Sequence, residues 1–386
     1  MTTPSSLPLT QYRDRPGVID LSSGHPGTDL LPVELLRDAM GRALARYGPA
    51  ALGYGADAGP GPFLDWLADH LGVVDGRAPH PAELLVTAGA SHALDLVCGL
   101  LSEPGDVCLV PTPTYHLALG IIRDHHLAIE AVASDVEGVM IESVVEVIAR
   151  VKAQARRPRL LYLVPTFGNP SGITLSPARR LQLVARCAAE DVLIVEDDVY
   201  RELAYDAPAP ASIWSMASPG AVVRLGSFSK TLAPGLRLGF LSADAAIVER
   251  LAAGGLLDSG GGIGHLPALA VTELGTSGAY AANLEHLRTE LAARRDALVA
   301  GLREHVPAGS FLAPRGGYFV WLRLPGGDMG SDLTARAARH GVGALAGTVF
   351  AVDGTSDADV LRLSFSGYPP LQLLEAARRL GATLRA

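Results

Sequence analysis

Lysine is nearly missing from this chain of 386 residues: of its 32 basic residues, only Lys152 and Lys230 are lysines. Arginine serves as well as lysine at surface positions, but it stays protonated at any working pH. A lysine amine, by contrast, can lose its proton to its surroundings and attack a carbonyl. Lys152 lies in the polar segment 150–157, at a helix end, and reads as solvated surface. Lys230 follows an apolar strand in Gly226-Ser227-Phe228-Ser229-Lys230-Thr231, where a lysine retained for its chemistry is the better reading.

Other scarcities exclude whole classes. Only three cysteines are present, Cys98, Cys108 and Cys187, in apolar settings and without metal-ligand spacing. They read as small core residues in a reducing compartment rather than as a disulfide framework. The net charge is −8, with no basic block and no interleaved aromatics, so nucleic-acid binding is not expected. No apolar run is long enough to span a membrane, and Met1–Gln11 lacks a basic segment followed by an apolar one. The expectation is a soluble cytoplasmic protein with no membrane partner.

What is abundant is core: 48% of residues are hydrophobic, and the length suits about two domains. From about residue 80 to 245, short apolar runs alternate with amphipathic helical patterns, which predicts an α/β fold with a mostly parallel central sheet sandwiched by helices. Strands are expected at 84–86, 107–110, 160–164, 192–195, 222–225 and about 236–241. A helix should follow Gly89, and Ser176-Pro177 should open another with Ser176 as its cap. A long charged helix over about 284–304 leads to a smaller α+β domain holding the alternating strand 317–322. The expected division is a large domain at 49–284 and a small domain made of 1–48 and 285–386. The Gly/Ala/Pro-rich stretches 48–62 and 253–268 read as loops.

Nearly every chemically suggestive residue falls just past the carboxyl end of a strand, where open α/β sheets bind ligands. Thr87-Ala88-Gly89-Ala90-Ser91-His92 is a glycine turn into a helix N-terminus, suited to an anion. Tyr115 is an aromatic in a loop, able to stack on a flat ring or to plug the core. Gly168-Asn169-Pro170-Ser171-Gly172 carries turn signals. Glu196-Asp197-Asp198-Val199-Tyr200 places three acids at the end of a buried strand, which is costly unless cations or donors meet them. No histidine accompanies them at ligand spacing, so a metal is not expected. Lys230 is followed seven residues later by Arg237.

In combination these residues supply an amine, a buried acid, an aromatic plate, a phosphate cup and an extra arginine, each of which pyridoxal 5′-phosphate (PLP) needs. The chain resembles the fold-type-I PLP enzymes of the class I/II aminotransferase family. The resemblance is carried by Asn169-Pro170-Ser171-Gly172, Asp197 with Tyr200, Ser227 to Gly239, and Arg362-Leu363-Ser364-Phe365, and it runs from Ser23-Gly24-His25-Pro26 to the C-terminus. The segment 196–203 is similar to the branch holding 2-aminoadipate-type aminotransferases and the aminotransferase-like half of MocR regulators.

The resemblance implies an aspartate-aminotransferase-like large domain and a role for each residue. Lys230 would form the Schiff base and shuttle protons, and Asp197 would pair with the pyridinium nitrogen. Asn169 and Tyr200 would hydrogen-bond the ring oxygen, and Tyr115 would stack on the ring. Ala90, Ser91, Ser227, Ser229 and Arg237 would hold the phosphate. Tyr54 would reach the partner subunit's phosphate, implying a homodimer with shared sites. Arg362 would grip the α-carboxylate of an amino-acid substrate, with Gly24 and Asn169 lining the same pocket. Ser91, where many relatives have a longer amide, and Leu64, where relatives often have an arginine, depart from the pattern.

Amino transfer through an external aldimine, with ping-pong passage to a 2-oxo acid, is the expected activity. A PLP-dependent lyase (β-elimination, C–S cleavage) or a decarboxylating oxidative deaminase of a natural-product pathway is the alternative. The Gly24 motif starts near residue 20, leaving no room expected for a regulator's DNA-binding domain. His25 and His265 read as surface or structural residues, with approach to a substrate side chain as the other reading. The glycine-rich 258–264 segment reads equally as a mobile loop or a tight turn.

Overall fold

The computed structural model describes residues 15–306, 309–324 and 330–385; Met1–Gln11, read above for a targeting signal, lies outside them. Thirteen strands occur among these residues. In chain order they are β1 (Ile19–Asp20), β2 (Leu84–Thr87), β3 (Val107–Thr112), β4 (Ala128–Asp135), β5 (Gly138–Val139), β6 (Pro158–Leu163) and β7 (Leu193–Asp197). They continue with β8 (Val222–Ser227), β9 (Gly239–Ser242), β10 (Phe319–Arg323), β11 (Val342–Gly343), β12 (Leu345–Ala346) and β13 (Val360–Ser364).

Eight strands form the central sheet in the order β2-β9-β8-β7-β6-β3-β4-β5. The run from β8 to β4 is parallel, while β9 lies antiparallel to both β2 and β8. This reversal matters for the site. Residues just before β9 emerge at the same edge as residues just after the parallel strands.

The central strands are apolar at nearly every position because both faces are covered. Side-chain parity sorts them. Leu193 and Val195 of β7 join Leu160 and Tyr162 of β6 in a layer with the helix Ala90–Leu101. Ile194 joins Leu161, Leu163 and the helices Ile141–Ala153 and Pro177–Ala189 in the other. Each such aliphatic side chain, fully buried, is worth about 1.5–3 kcal/mol. Ser176 caps the second of these helices through the Arg179 N–H, with Pro177 at the first position, as expected.

The strands β10, β13 and β12 make a second, antiparallel sheet, and β1 pairs with β11. Together with the helices Gly330–Arg339 and Pro370–Arg385 they enclose a separate core around Leu298, Val320, Leu363 and Leu373. The charged helix begins earlier than its pattern indicated, running Ala279–His305 from the left-handed Gly278.

Two glycine-rich stretches are less loop-like than their composition. Within 48–62, a 3-10 turn covers Gly48–Leu52 and a helix starts at Gly61. Within 253–268, Gly255–Gly260 forms a short helix and His265 opens another. Glycine in a helix costs about 1 kcal/mol, and burying Leu257 completely offsets it. Gly261 and Gly262 then turn tightly against the backbone of Gly55 and Ala56, and Gly264, also at positive φ, faces Leu238.

Candidate active site

The turn after β2 closes around Gly89, whose φ of +90° favours glycine, and a Cβ there would stand 2.9 Å from the Arg237 guanidinium. Gly239 is equally confined, because its Cβ would fall 2.7 Å from the Gly89 Cα. The two turns therefore lie in contact, and Arg237 donates to the Ala88 carbonyl over 2.7 Å. The first N–H groups of the helix Ala90–Leu101 open onto this cradle, free of intrahelical partners. Ser91 is exposed there. Across the sheet edge, Ser227 accepts from the Ser229 N–H at 3.1 Å. An anionic group would find N–H donors, hydroxyls and a guanidinium here.

Asp197 ends β7 on the face that carries Val195, while Glu196 and Asp198 point to the opposite face. The Tyr162 hydroxyl donates to Asp197 Oδ2 at 2.6 Å, whereas the buried Oδ1 has no partner among the described residues. Burial, with a smaller push from the Asp198 charge, raises the Asp197 carboxyl to about 6. An unsatisfied buried carboxylate oxygen is expensive. It is the feature that a protonated ring nitrogen would satisfy.

The other two acids have different partners, which the sequence did not identify. Glu196 accepts the N–H groups of Ile213 and Trp214 at 2.8 and 2.9 Å, beside Arg180. Asp198 meets Arg201 and Arg224, and Asp75 meets the same two arginines. Burial works against the Asp198 anion, but these arginines hold its carboxyl below the ordinary value. Arg180, Arg201 and Arg224 thus meet Glu196, Asp198 and Asp75, and leave Asp197 without a paired cation among the described residues. Among the described residues no cluster of His, Cys, Asp or Glu suits a metal ion.

Lys230 follows β8, and its amine donates to the Gly24 carbonyl at 3.0 Å. Its backbone is held from the helix Ala279–His305 and from the segment before β10. Tyr318 donates to the Lys230 carbonyl at 3.1 Å, and Tyr280 and Asn283 bind Thr231. Burial first, then the Arg362 charge, lowers the amine to about 8. At pH 7 about one molecule in ten then carries the neutral nucleophile, against about one in three thousand for an ordinary lysine.

Arg362 projects from β13. It donates to Asn169 Oδ1 at 2.9 Å and to the Ser22 carbonyl, and its guanidinium lies 4.3 Å from the Phe319 ring centre and 4.7 Å from that of Phe350. Its Nε is buried without a partner among the described residues. Tyr200 is buried edge-on to Tyr318 and Phe319, with the Lys230 amine 5.8 Å from its ring centre. Tyr115 caps the helix His116–Asp124. Burial and the Asp197 charge raise its phenol to about 12.

Gly24, Tyr115, Asn169, Asp197, Tyr200, Lys230 and Arg362 thus share one site at the expected sheet edge, flanked by the cradle of Ala90, Ser91, Ser227, Ser229 and Arg237. Tyr54 does not join them within the chain; it is 91% exposed on the segment before the helix Gly61–Asp75. His265 bonds the Ala50 carbonyl at 3.1 Å, a structural contact. Tyr162, Tyr318, Phe319 and Phe350 were not anticipated. Of these only Tyr162 left a signal, as a hydroxyl within an otherwise aliphatic strand.

Residues 16–380 match the family model described as aminotransferase class I and II. The chain is 34% identical over 388 residues to a 2-aminoadipate transaminase of Thermus thermophilus, covering 98% of this chain and 92% of the relative. A kynurenine aminotransferase of Pyrococcus horikoshii, solved with PMP, superposes with a TM-score of 0.90 at 29% identity, covering 96% of this chain and 91% of that one. An α-aminoadipate aminotransferase of Thermus thermophilus, complexed with N-(5′-phosphopyridoxyl)-L-leucine, gives a TM-score of 0.86 at 31% identity, with 96% and 92% covered. With a buried acid that keeps one oxygen unpartnered among the described residues, a lysine of lowered basicity and an anion cradle at one sheet edge, the chain belongs to the class I and II aminotransferase family and is a PLP-dependent aminotransferase.

Proposed function

We propose that this aminotransferase works with Lys230 as cofactor anchor and proton carrier, Asp197 as ring acid and Arg362 as the α-carboxylate clamp. The observation that carries the assignment is the pair of opposed perturbations in one site. A buried amine is made less basic, and a buried carboxyl keeps one oxygen without a partner.

PLP supplies an aldehyde that condenses with amines and a protonated ring that withdraws electrons from the substrate's α-carbon. Asp197 Oδ1 would accept the ring N–H and keep that proton in place. Asn169 and Tyr200 would contact the ring oxygen and Tyr115 the ring face, with Ala90, Ser91, Ser227, Ser229 and Arg237 on the phosphate. Once displaced by substrate amine, the Lys230 Nζ would take a proton from the α-carbon and return it elsewhere, which its lowered basicity favours near neutral pH. Arg362, already fixed by Asn169 and Ser22, would present its guanidinium to the carboxylate with Gly24 alongside.

The 2-oxo product would leave, and a second 2-oxo acid would take up the amine in ping-pong order. Relatives named for 2-aminoadipate and kynurenine support an α-amino acid as substrate.

The division into a large domain at 49–284 and a small one at 1–48 and 285–386 is supported by the separate core under the second sheet. A homodimer in which Tyr54 completes the partner's phosphate site is supported by that residue's exposure. Three buried, unpaired cysteines suit the cytoplasm. The test of function is to mix the holoenzyme with amino acids and S-conjugates, with and without a 2-oxo acid. Sustained turnover only with the acceptor is expected. Acceptor-independent release of ammonia or thiol would instead indicate a lyase.

A further inference from the structure

Tyr162 stands in β6, one strand from Asp197, and is fully buried. It pairs in register with Val195, so its side chain and that of Asp197 lie diagonally on the same face of the sheet. Its hydroxyl has one hydrogen-bond partner among the described residues, Asp197 Oδ2 at 2.6 Å. The length is that of a charge-assisted O–H···O⁻ bond.

We propose that Tyr162 is a positioning residue that fixes the ring-acid carboxylate and decides which side of the Asp197–ring contact keeps the proton. The inference rests on the reading that Asp197 faces the ring nitrogen.

Two bases compete for one proton at this contact. A carboxylate buried as Asp197 is would become a strong base, and a ring nitrogen brought to Oδ1 could surrender its proton to it. The pair would then be neutral and the ring a weak electron sink. A donor on Oδ2 stabilises the anion and opposes that transfer. Tyr162 can act only as this donor, because burial and the neighbouring Asp197 charge drive its phenol well above the ordinary value, so it stays protonated. The other charged or titratable groups acting on Asp197 are Asp198, which raises it, and Lys230, which lowers it. Tyr115 and Tyr200 also face it, and both remain neutral. The nearby Val199 N–H adds a weaker stabilising influence. Of these donors, Tyr162 is the one a substitution can delete without touching the backbone. It also fixes the carboxylate's rotation, leaving Oδ1 turned to the site.

The test uses the holoenzyme loaded with PLP carrying ¹⁵N in its ring. In the native protein the ring nitrogen should show the protonated chemical shift throughout the stability range. Tyr162→Phe, which keeps the ring and its packing, should move that shift toward the unprotonated value. It should also lower kcat about ten- to a hundredfold, the loss expected for one hydrogen bond to a charge, while KM for the amino acid changes less than about twofold. Site-specific difluorotyrosine, a stronger donor of nearly the same size, should restore the native ¹⁵N shift. An unchanged shift and kcat in Tyr162→Phe would overturn the proposal, as would a loss of kcat with no ¹⁵N change. Asp197→Asn is the control. If it alters the shift while Tyr162→Phe does not, this inference fails and the ring-acid reading stands; if neither alters it, the ring-acid reading itself fails.

Discussion

Arg362 donates to Asn169 across 2.9 Å, tying β13 of the small sheet to the turn after β6 of the large one. The two residues are 193 positions apart. The bond aims a buried cation at the same space as the Lys230 amine. Arg362→Ala should therefore raise KM for both the amino acid and the 2-oxo acid by at least about thirtyfold, the lower end for losing a buried charge partner. Retention of PLP should barely change. Equal losses of cofactor and substrate binding, measured by spectral titration, would remove the carboxylate role.

The lowered basicity of Lys230 gives a pH dependence. Only the neutral amine attacks an aldehyde, and its fraction rises through a value of about 8. The rate at which apoenzyme captures PLP should climb with pH and level off above about 8. A rate still climbing steeply above pH 9.5 would mean that neither burial nor Arg362 acts on this amine.

Asp197 should trade stability for activity. Its carboxyl is held up at about 6 by burial, against an ordinary 3.8. Between those values the folded apoprotein holds a proton that the unfolded chain has released, so stability falls as pH rises through that window and stays lower above it. The penalty is about 3 kcal/mol. Asp197→Asn removes it, so the variant apoprotein should resist urea better than the native apoprotein at pH 7, with the difference vanishing below about pH 4. The same variant as holoenzyme should lose turnover about a hundredfold or more. Parallel stability curves for the two apoproteins would refute the account of the buried acid.

Tyr54 tests the shared site. Lys230→Ala subunits lack the anchor, and Tyr54→Ala subunits lack the residue assigned to the partner's phosphate. A mixed dimer would contain one site with both native residues. Co-refolding the two inactive or impaired variants should give more activity than either alone; no gain at any ratio would place Tyr54 outside the partner's site.

Much of this site was legible because its residues sit at strand ends, where periodicity stops and a polar residue stands out. Lys230, Asp197 and Asn169 are of this kind. Arg362 is not, since it lies inside a strand of alternating pattern, and family resemblance supplied its role. The partners of the acidic cluster were not legible at all. Arg224 and Asp75 are 149 positions apart, and nothing local marks their pairing. Parity along β7 does separate Asp197 from Glu196 and Asp198, and that distinction was available from the sequence once the strand was accepted. The helix at Gly255–Gly260 was missed for the opposite reason: composition spoke for a loop, and tertiary burial of Leu257 overrode it.

The scarcity of lysine makes the anchoring residue directly identifiable. The holoenzyme is reduced with borohydride, digested, and its phosphopyridoxyl peptide sequenced by mass spectrometry. With only Lys152 and Lys230 in the chain, the assignment is nearly binary. Lys152 is an exposed residue paired with Glu190. Lys230 should carry stoichiometric label and Lys152 none. Label on Lys152, or a protein that stays colourless and unlabelled at saturating PLP, would contradict the assignment.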